Sequence, residues 1–347
     1  MKTGRLIECV PNFSEGRDKS KINDIADAIT QSGDVRLLHV DSGYDANRTV
    51  FTFIGSPEAV VEAVVRSFRT ARQLCDMENH LGTHPRIGLM DVCPLIPLDG
   101  ITLNETVHFT HEIGKRLEEE FDQTSYLYAT SATREERKKL ETIRKGEYEG
   151  LKRKLKDPDW KPDYGSHKFL PKTGACVIGA RPFLIAYNVN LNTREPKVAN
   201  EIAKRIRTSG YYHALRPNGL KEHFPGLLPE VKALGWYVEE YKTAQVSMNL
   251  TNFEVTGMHT AMEACRKLAK EYEVEVTGSE LIGLVPLNAM LLAGKHYSTE
   301  NNLSEESMIK LAINKLGLED IRKFDPHERI IEYKMDNPDP KQLSFIY

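Results

Sequence analysis

A chain of 347 residues with a formal net charge of -3 and 28% charged residues is long enough for two compact domains and has the composition of a soluble globular protein. The near balance of charge gives no electrostatic reason to expect nucleic acid or an anionic membrane as a partner, which leaves small molecules. The cysteines, Cys9, Cys75, Cys93, Cys176 and Cys265, are odd in number, far apart and mostly set in apolar runs, which suits buried thiols in a reducing compartment better than a disulfide frame. Met1 to Arg5 lead into a strand pattern without an apolar leader. No apolar run reaches the roughly 20 residues of a membrane span, so a cytoplasmic protein is expected.

Leu6 to Val10 reads as a strand stopped by Pro11-Asn12, and Lys19 to Thr30 has helical spacing through Ile22, Ile25, Ala28 and Ile29. Val35 to Val40 and Thr49 to Ile54 read as two further strands joined by the turn-rich segment Asp41 to Arg48. Ser56-Pro57-Glu58 then opens a helix, with serine as N-cap, proline in the first turn and glutamate at the positive end of the dipole; it is expected to run to about Met77. A strand-like run from Ile87 to Ile96 completes the order βαββαβ, the ferredoxin-like arrangement. Right-handed crossovers place the first strand between the fourth and the third, all antiparallel. Asn12, Asp41, Arg48 and His84 then converge at one edge of the sheet.

Asn104 to Phe121 and Arg134 to Lys145 read as helices around a strand, Tyr126 to Ala129. Pro158 to Gly174, rich in proline, glycine and aromatic residues, has no repeat period and suits a binding lid or pocket wall. The basic run Lys152 to Lys156 beside it reads first as a solvated helix face, though it could steer a polyanionic tail. The βαββαβ order recurs in Leu184 to Leu191, Pro196 to Arg207, Val231 to Val238, Thr243 to Leu250, Met258 to Tyr272 and Leu281 to Pro286. Ser209 to Leu228 reads as a long polar loop. Gly278 to Leu284 echoes Gly82 to Leu89 but carries no histidine, so a duplication with chemistry kept in the first half is expected.

No phosphate-binding or dinucleotide glycine motif follows a strand, and no serine sits in a nucleophile elbow. His80 and His84 are four apart, but Gly82 and Pro85 forbid the helix that would pair them on a metal; no metal is expected. His108 and His111 read as surface or satisfied histidines on a helix. Cys9 and Cys93 lie in apolar strands where a thiolate is costly. A general acid/base site remains: the imidazole of His84, the carboxylate of Asp41, a guanidinium at Arg48 or Arg86 and the amide of Asn12. Singly, each also fits an ordinary turn or surface ion pair.

Glu8 to Gly16, Asn47-Arg48-Thr49-Val50 with Gly55, His84-Pro85-Arg86 and Asp91-Val92-Cys93-Pro94 strongly resemble glutamate formimidoyltransferase. So do Gly146 to Glu149, Gly179-Ala180-Arg181, Gly235-Trp236-Tyr237, Leu284 to Leu287 and Glu328 to Tyr333, nearly end to end. The resemblance implies an α+β protein of two ferredoxin-like subdomains, with residues 1–182 carrying the catalytic histidine, 183–333 forming the second subdomain and 334–347 a tail, and with no cyclodeaminase domain. It implies a cytoplasmic homodimer of histidine degradation that moves a formimidoyl group between N5 of tetrahydrofolate, a co-substrate, and the amine of glutamate. His84 matches the catalytic histidine. The folate-contacting stretch falls on Gly165, Ser166, His167, Lys168, Phe169, Leu170, Pro171, Lys172, Thr173 and Gly174, matching better at its ends than in its middle. Arg48 and Arg86 are then candidates for glutamate's carboxylates, Asp41 for the cationic formimidoyl group. A formyl-folate enzyme of the same family and a non-catalytic folate binder stay open.

Overall fold

The computed structural model describes residues 4–214, 221–300 and 302–336. The chain divides into two units, the first ending at Pro182 and the second beginning at Phe183.

The first unit runs β1 (Leu6–Cys9), β2 (Asn12–Phe13), α1 (Lys19–Thr30), β3 (Val35–Gly43), β4 (Arg48–Gly55), α2 (Pro57–Leu74), β5 (Met90–Asp99), α3 (Leu103–Phe121), β6 (Ser125–Leu127), α4 (Leu140–Arg144), α5 (Glu147–Lys154) and β7 (Cys176–Ala180). β1 and β2 are one line of chain broken at Val10-Pro11, and both pair antiparallel with β4 on one side and β5 on the other. Proline has no N–H to give the ladder. Its carbonyl still accepts from Phe51 N at 3.0 Å and Val10 N donates to Pro94 O at 3.1 Å, so the strand resumes at Asn12. β3 pairs with β4 outside this core, as the βαββαβ order requires.

Helices cover one face of this sheet because their apolar residues recur on one side. Ser56 caps α2 by accepting from Ala59 N, Pro57 starts it, and Val60, Val61, Val64, Val65, Phe68 and Ala71 are buried against Ile7, Cys9, Phe51, Phe53, Cys93 and Leu95. α2 stops at Leu74, short of Met77, which opens a separate short turn, Met77–Asn79. β5 starts at Met90, so Ile87 and Gly88 belong to the loop before it. The sheet then extends beyond the expected four strands: β7 lies parallel to β5, and β6 parallel to β7. Arg134 to Lys145 is not one helix but a turn, Glu135–Lys138, followed by α4.

The second unit runs β8 (Ile185–Leu191), α6 (Pro196–Ile206), β9 (Tyr211–Ala214), β10 (Lys221–Phe224), β11 (Val231–Val238), β12 (Thr243–Leu250), α7 (Met258–Glu271), β13 (Val276–Ile282), α8 (Leu287–Tyr297), α9 (Glu305–Leu316), α10 (Pro326–Arg329) and α11 (Ile331–Asp336). Its sheet has the order β11-β12-β8-β13, again antiparallel with the first strand between the third and the fourth. The fold is therefore α+β with two ferredoxin-like cores. The segment expected as a polar loop holds the β9–β10 hairpin, while residues 215–220 and 337–347, the latter within the expected tail, lie outside the described residues.

β13 begins five residues before the expected Leu281, because Gly278-Ser279-Glu280 is strand rather than turn. Gly278 sits there for close packing: a Cβ would lie 2.3 Å from Cβ of Asp320 and 2.6 Å from the Gly317 carbonyl. The echo between Gly278–Leu284 and Gly82–Leu89 therefore does not mark equivalent positions. One is mostly strand interior, the other a loop ahead of a strand.

Candidate active site

The loop from His80 to Gly88 carries His84 and is tied down at both ends. Neutral His80 sits between two partners: Arg86 Nε donates to its Nδ1 at 3.3 Å, so its Nε2 carries the hydrogen and donates to Asn47 O at 2.7 Å. Asn47 Nδ2 donates to Leu81 O at 3.0 Å and Thr83 N to Asp45 O at 3.0 Å, clasping the loop to the β3–β4 hairpin. Gly82 permits the approach, since a Cβ there would stand 2.2 Å from the Ala46 carbonyl.

Asp91, fully buried at the start of β5, anchors the other end. Its Oδ1 accepts from Ile87 N at 2.8 Å and from Arg144 Nε at 3.2 Å, and its Oδ2 from Arg48 Nη1 and Arg144 Nη2. Burial alone would raise the Asp91 carboxyl, but Arg144 and Arg48 outweigh it and hold it at about 2. Arg48, at the start of β4, also donates from Nε to Asn12 Oδ1 at 3.0 Å. Burial, with Arg144 beside it, lowers Arg48 to about 10 against the pull of Asp91, so it stays charged at neutral pH. Arg144 ends α4, whose last turn Lys154 tethers by donating to the Ile143 carbonyl.

His84 is half-buried next to this cluster. Burial first, then the cations of Arg48 and Arg144, drive its imidazole down to about 3, against Asp91 and the Pro85 carbonyl. At neutral pH the ring is therefore uncharged. Nδ1 lies 2.8 Å from Pro85 O, which can only accept, so the hydrogen sits on Nδ1 and the basic lone pair on Nε2. This is the state of a general base.

Of the residues singled out in the sequence, Asn12 and Arg48 touch, and Arg48 and His84 interact. Asp41 is buried on β3 in register with Val50, the residue that also pairs with Asn12. Asp41 and Asn12 thus stand two strand spacings apart, about 9–10 Å. Arg86 does not join them: its guanidinium is spent on Glu149 at 2.6 and 2.9 Å, on Glu147 at 3.3 Å and on the His80 carbonyl at 3.2 Å. The sequence reading missed Asp91 and Arg144. A lone carboxylate in the apolar run Ile87 to Ile96 was a signal, since such a group survives burial only between cations; Arg144 had none.

The stretch from Gly165 to Gly174 is held through its main chain. The carbonyls of Ser166, Pro171, Lys172, Thr173 and Gly174 accept from Thr124, Tyr148, Met77, Leu89 and Gln123, and Gly174 bridges to Gly88. It therefore flanks the His84 loop directly. Phe169 packs on Tyr148 with centroids 5.5 Å apart, and His167, Lys168, Pro171 and Lys172 face outward. Among the described residues no group of three or more His, Cys, Asp or Glu is placed to hold a metal, and no helix is long and apolar enough to cross a membrane.

Residues 6–181 match the family model for the formiminotransferase domain, N-terminal subdomain, and residues 186–336 match that for the formiminotransferase domain. The chain belongs to the formiminotransferase family. It is 47% identical over 333 residues to the formimidoyltransferase-cyclodeaminase of Dictyostelium discoideum and 47% over 341 residues to that of Rattus norvegicus, covering 95% and 97% of this chain but 60% and 61% of those proteins. It thus spans about three fifths of the length of these relatives. The glutamate formimidoyltransferase of Streptococcus pyogenes serotype M1 is 37% identical over 328 residues, which cover 94% of this chain and 98% of that one. Within this chain the cluster around His84 lies wholly in the part that matches the N-terminal subdomain.

Proposed function

We propose that the chain is a glutamate formimidoyltransferase, which moves a formimidoyl group between N5 of tetrahydrofolate and the amine of L-glutamate in histidine degradation. The observation that carries this reading is the pair of guanidiniums sharing one carboxylate beside His84, whose ring burial and those cations hold toward the neutral form. His84 Nε2 takes a proton from the acceptor amine, whose lone pair then bonds the amidine carbon. The tetrahedral adduct collapses as His84 returns the proton to N5 of the folate, and the C–N5 bond breaks. Such a shuttle contributes ~10²- to 10⁴-fold. Asp41 is assigned to the cationic formimidoyl group and Arg48 to a substrate carboxylate.

Tetrahydrofolate enters as co-substrate, and the outward Lys168 and Lys172 beside the His84 loop suit the carboxylates of its glutamyl tail. Five free, buried cysteines fit a reducing compartment, in keeping with a cytoplasmic enzyme. The test is a product assay: the full chain is incubated with 5-formimidoyltetrahydrofolate and glutamate, and N-formimidoylglutamate is followed by mass spectrometry beside a parallel reaction with 5-formyltetrahydrofolate. Product from the first alone supports the reading; product from the second alone replaces it with formyl transfer, and tight folate binding without product replaces it with a folate carrier.

A further inference from the structure

We propose that Arg48 and Arg144, joined through Asp91, form a clamp for a carboxylate of the acceptor amino acid, and that filling the clamp turns His84 from a weak base into an effective one. The inference rests on the transferase reading and adds Arg144 to the site, with substrate charge as the trigger.

The first support is an excess of cation. Two guanidiniums share one carboxylate, and each spends only part of its fork on it. Arg48 uses Nε on Asn12 and Nη1 on Asp91, and Arg144 uses Nε and Nη2 on Asp91; Arg48 Nη2 and Arg144 Nη1 have no hydrogen bond to any described residue. A buried and a part-buried guanidinium with unspent donors and a net positive charge favour a second anion. Arg86, the arginine of the His84 loop, offers no such place for an anion, because Glu149 and Glu147 already fill its fork.

The second support is where the charge falls. Among the charged groups that bear on His84 are Arg48 from β4, Arg144 from α4 and Asp91 from β5, with the Pro85 carbonyl on its own loop. Two of the three are cations and oppose a proton on the ring. A carboxylate set between those cations cancels the opposition, so the ring's proton affinity rises when the acceptor is seated, and the Brønsted relation makes it a better base. An amine without a carboxylate would meet His84 in its weak state. Selectivity for an amino acid would then come from activation as well as from binding.

Glutarate tests this without turnover, because it keeps both carboxylates of glutamate and lacks the amine. His84 is followed by NMR on protein labelled at histidine, assigned against H84Q, between pH 7.5 and 5. In the free protein the ring should stay neutral throughout; with saturating glutarate its midpoint should rise by two units or more, into that window, and with glutaramide, neutral and of similar shape, it should not move. By linkage, glutarate should bind about tenfold more tightly per unit of that rise once the ring is protonated. R144Q should weaken glutarate binding about tenfold or more and abolish the shift, with R144K restoring part of both. A His84 titration indifferent to glutarate, or equally moved by glutaramide, overturns the clamp whether or not R144Q folds. Formimidoyl transfer without the shift sinks the clamp alone, and the shift without transfer sinks the assigned reaction alone.

Discussion

In both units a first strand runs between two antiparallel neighbours, yet the polar groups on the two sheets are set for different ends. In the second unit β8 is unbroken, and Asn190, Gln245 and Glu280 bond to one another and outward: Gln245 Nε2 donates to Asn190 Oδ1 at 2.8 Å, Tyr241 donates to Glu280 Oε1 at 3.0 Å and Trp236 Nε1 to Gln245 Oε1 at 3.1 Å. In the first unit the equivalent strand breaks at Pro11, restarts at Asn12 and meets Arg48, whose partner Asp91 is shared with a second arginine. One network closes on itself and the other keeps donors in hand. A ferredoxin-like scaffold thus becomes a candidate catalyst through unspent hydrogen-bonding capacity next to a titratable ring.

The comparison breaks most directly at His84. H84A should cut kcat by ~10²- to 10⁴-fold while folate affinity stays within about threefold; equal losses in steady-state kinetics and in folate titration would make His84 a binding residue and leave the first unit without its distinction. Next comes Asp91. D91A leaves the buried Arg48 and the part-buried Arg144 without their anion and should cost ~3–5 kcal/mol in urea unfolding, whereas a loss under about 1 kcal/mol would show that the shared carboxylate is dispensable.

Acid sharpens the contrast. Asp91 falls from an ordinary 3.8 to about 2 in the folded protein, so its stabilisation, ~2 kcal/mol, is present above pH 4 and lost as pH falls toward 2. His84 is also depressed, from 6.5 to about 3, so the unfolded chain binds a proton that the folded one refuses, and stability drops as pH falls through that window. H84Q should therefore flatten the decline of Tm between pH 6.5 and 4, before Asp91 begins to protonate. The smallest effect is expected in the second unit: E280Q keeps most of the hydrogen bonds and should change stability by about 1 kcal/mol or less in the same urea assay.

Much of the scaffold was legible because its signals are local. The expected Val231–Val238 and Thr243–Leu250 strands agree with β11 and β12 to the residue, and Ser56-Pro57-Glu58 starts a helix wherever it occurs. What failed depends on distant contacts. β7 was not expected because five buried residues after a glycine carry no period, and only the neighbouring β5 and β6 make them a strand. The site was legible where the chain itself converges, at Asn12 and Arg48. It was illegible where a side chain chooses between two directions: Arg86 lies two residues from His84 yet turns to Glu149, while Arg144, sixty residues on, comes back to Asp91.

The clasp at His80 has a consequence of its own. Burial first, then Arg86, resists a charge on that ring, but Asn47 O favours one, and a proton added at Nδ1 would turn the acceptor that faces Arg86 Nε into a second donor. Latch and candidate base sit four positions apart, and burial with neighbouring cations holds both rings toward the neutral form. A proton on His80 would thus unfasten the loop that carries His84, so the acid response of the candidate site is written into its geometry as well as its chemistry.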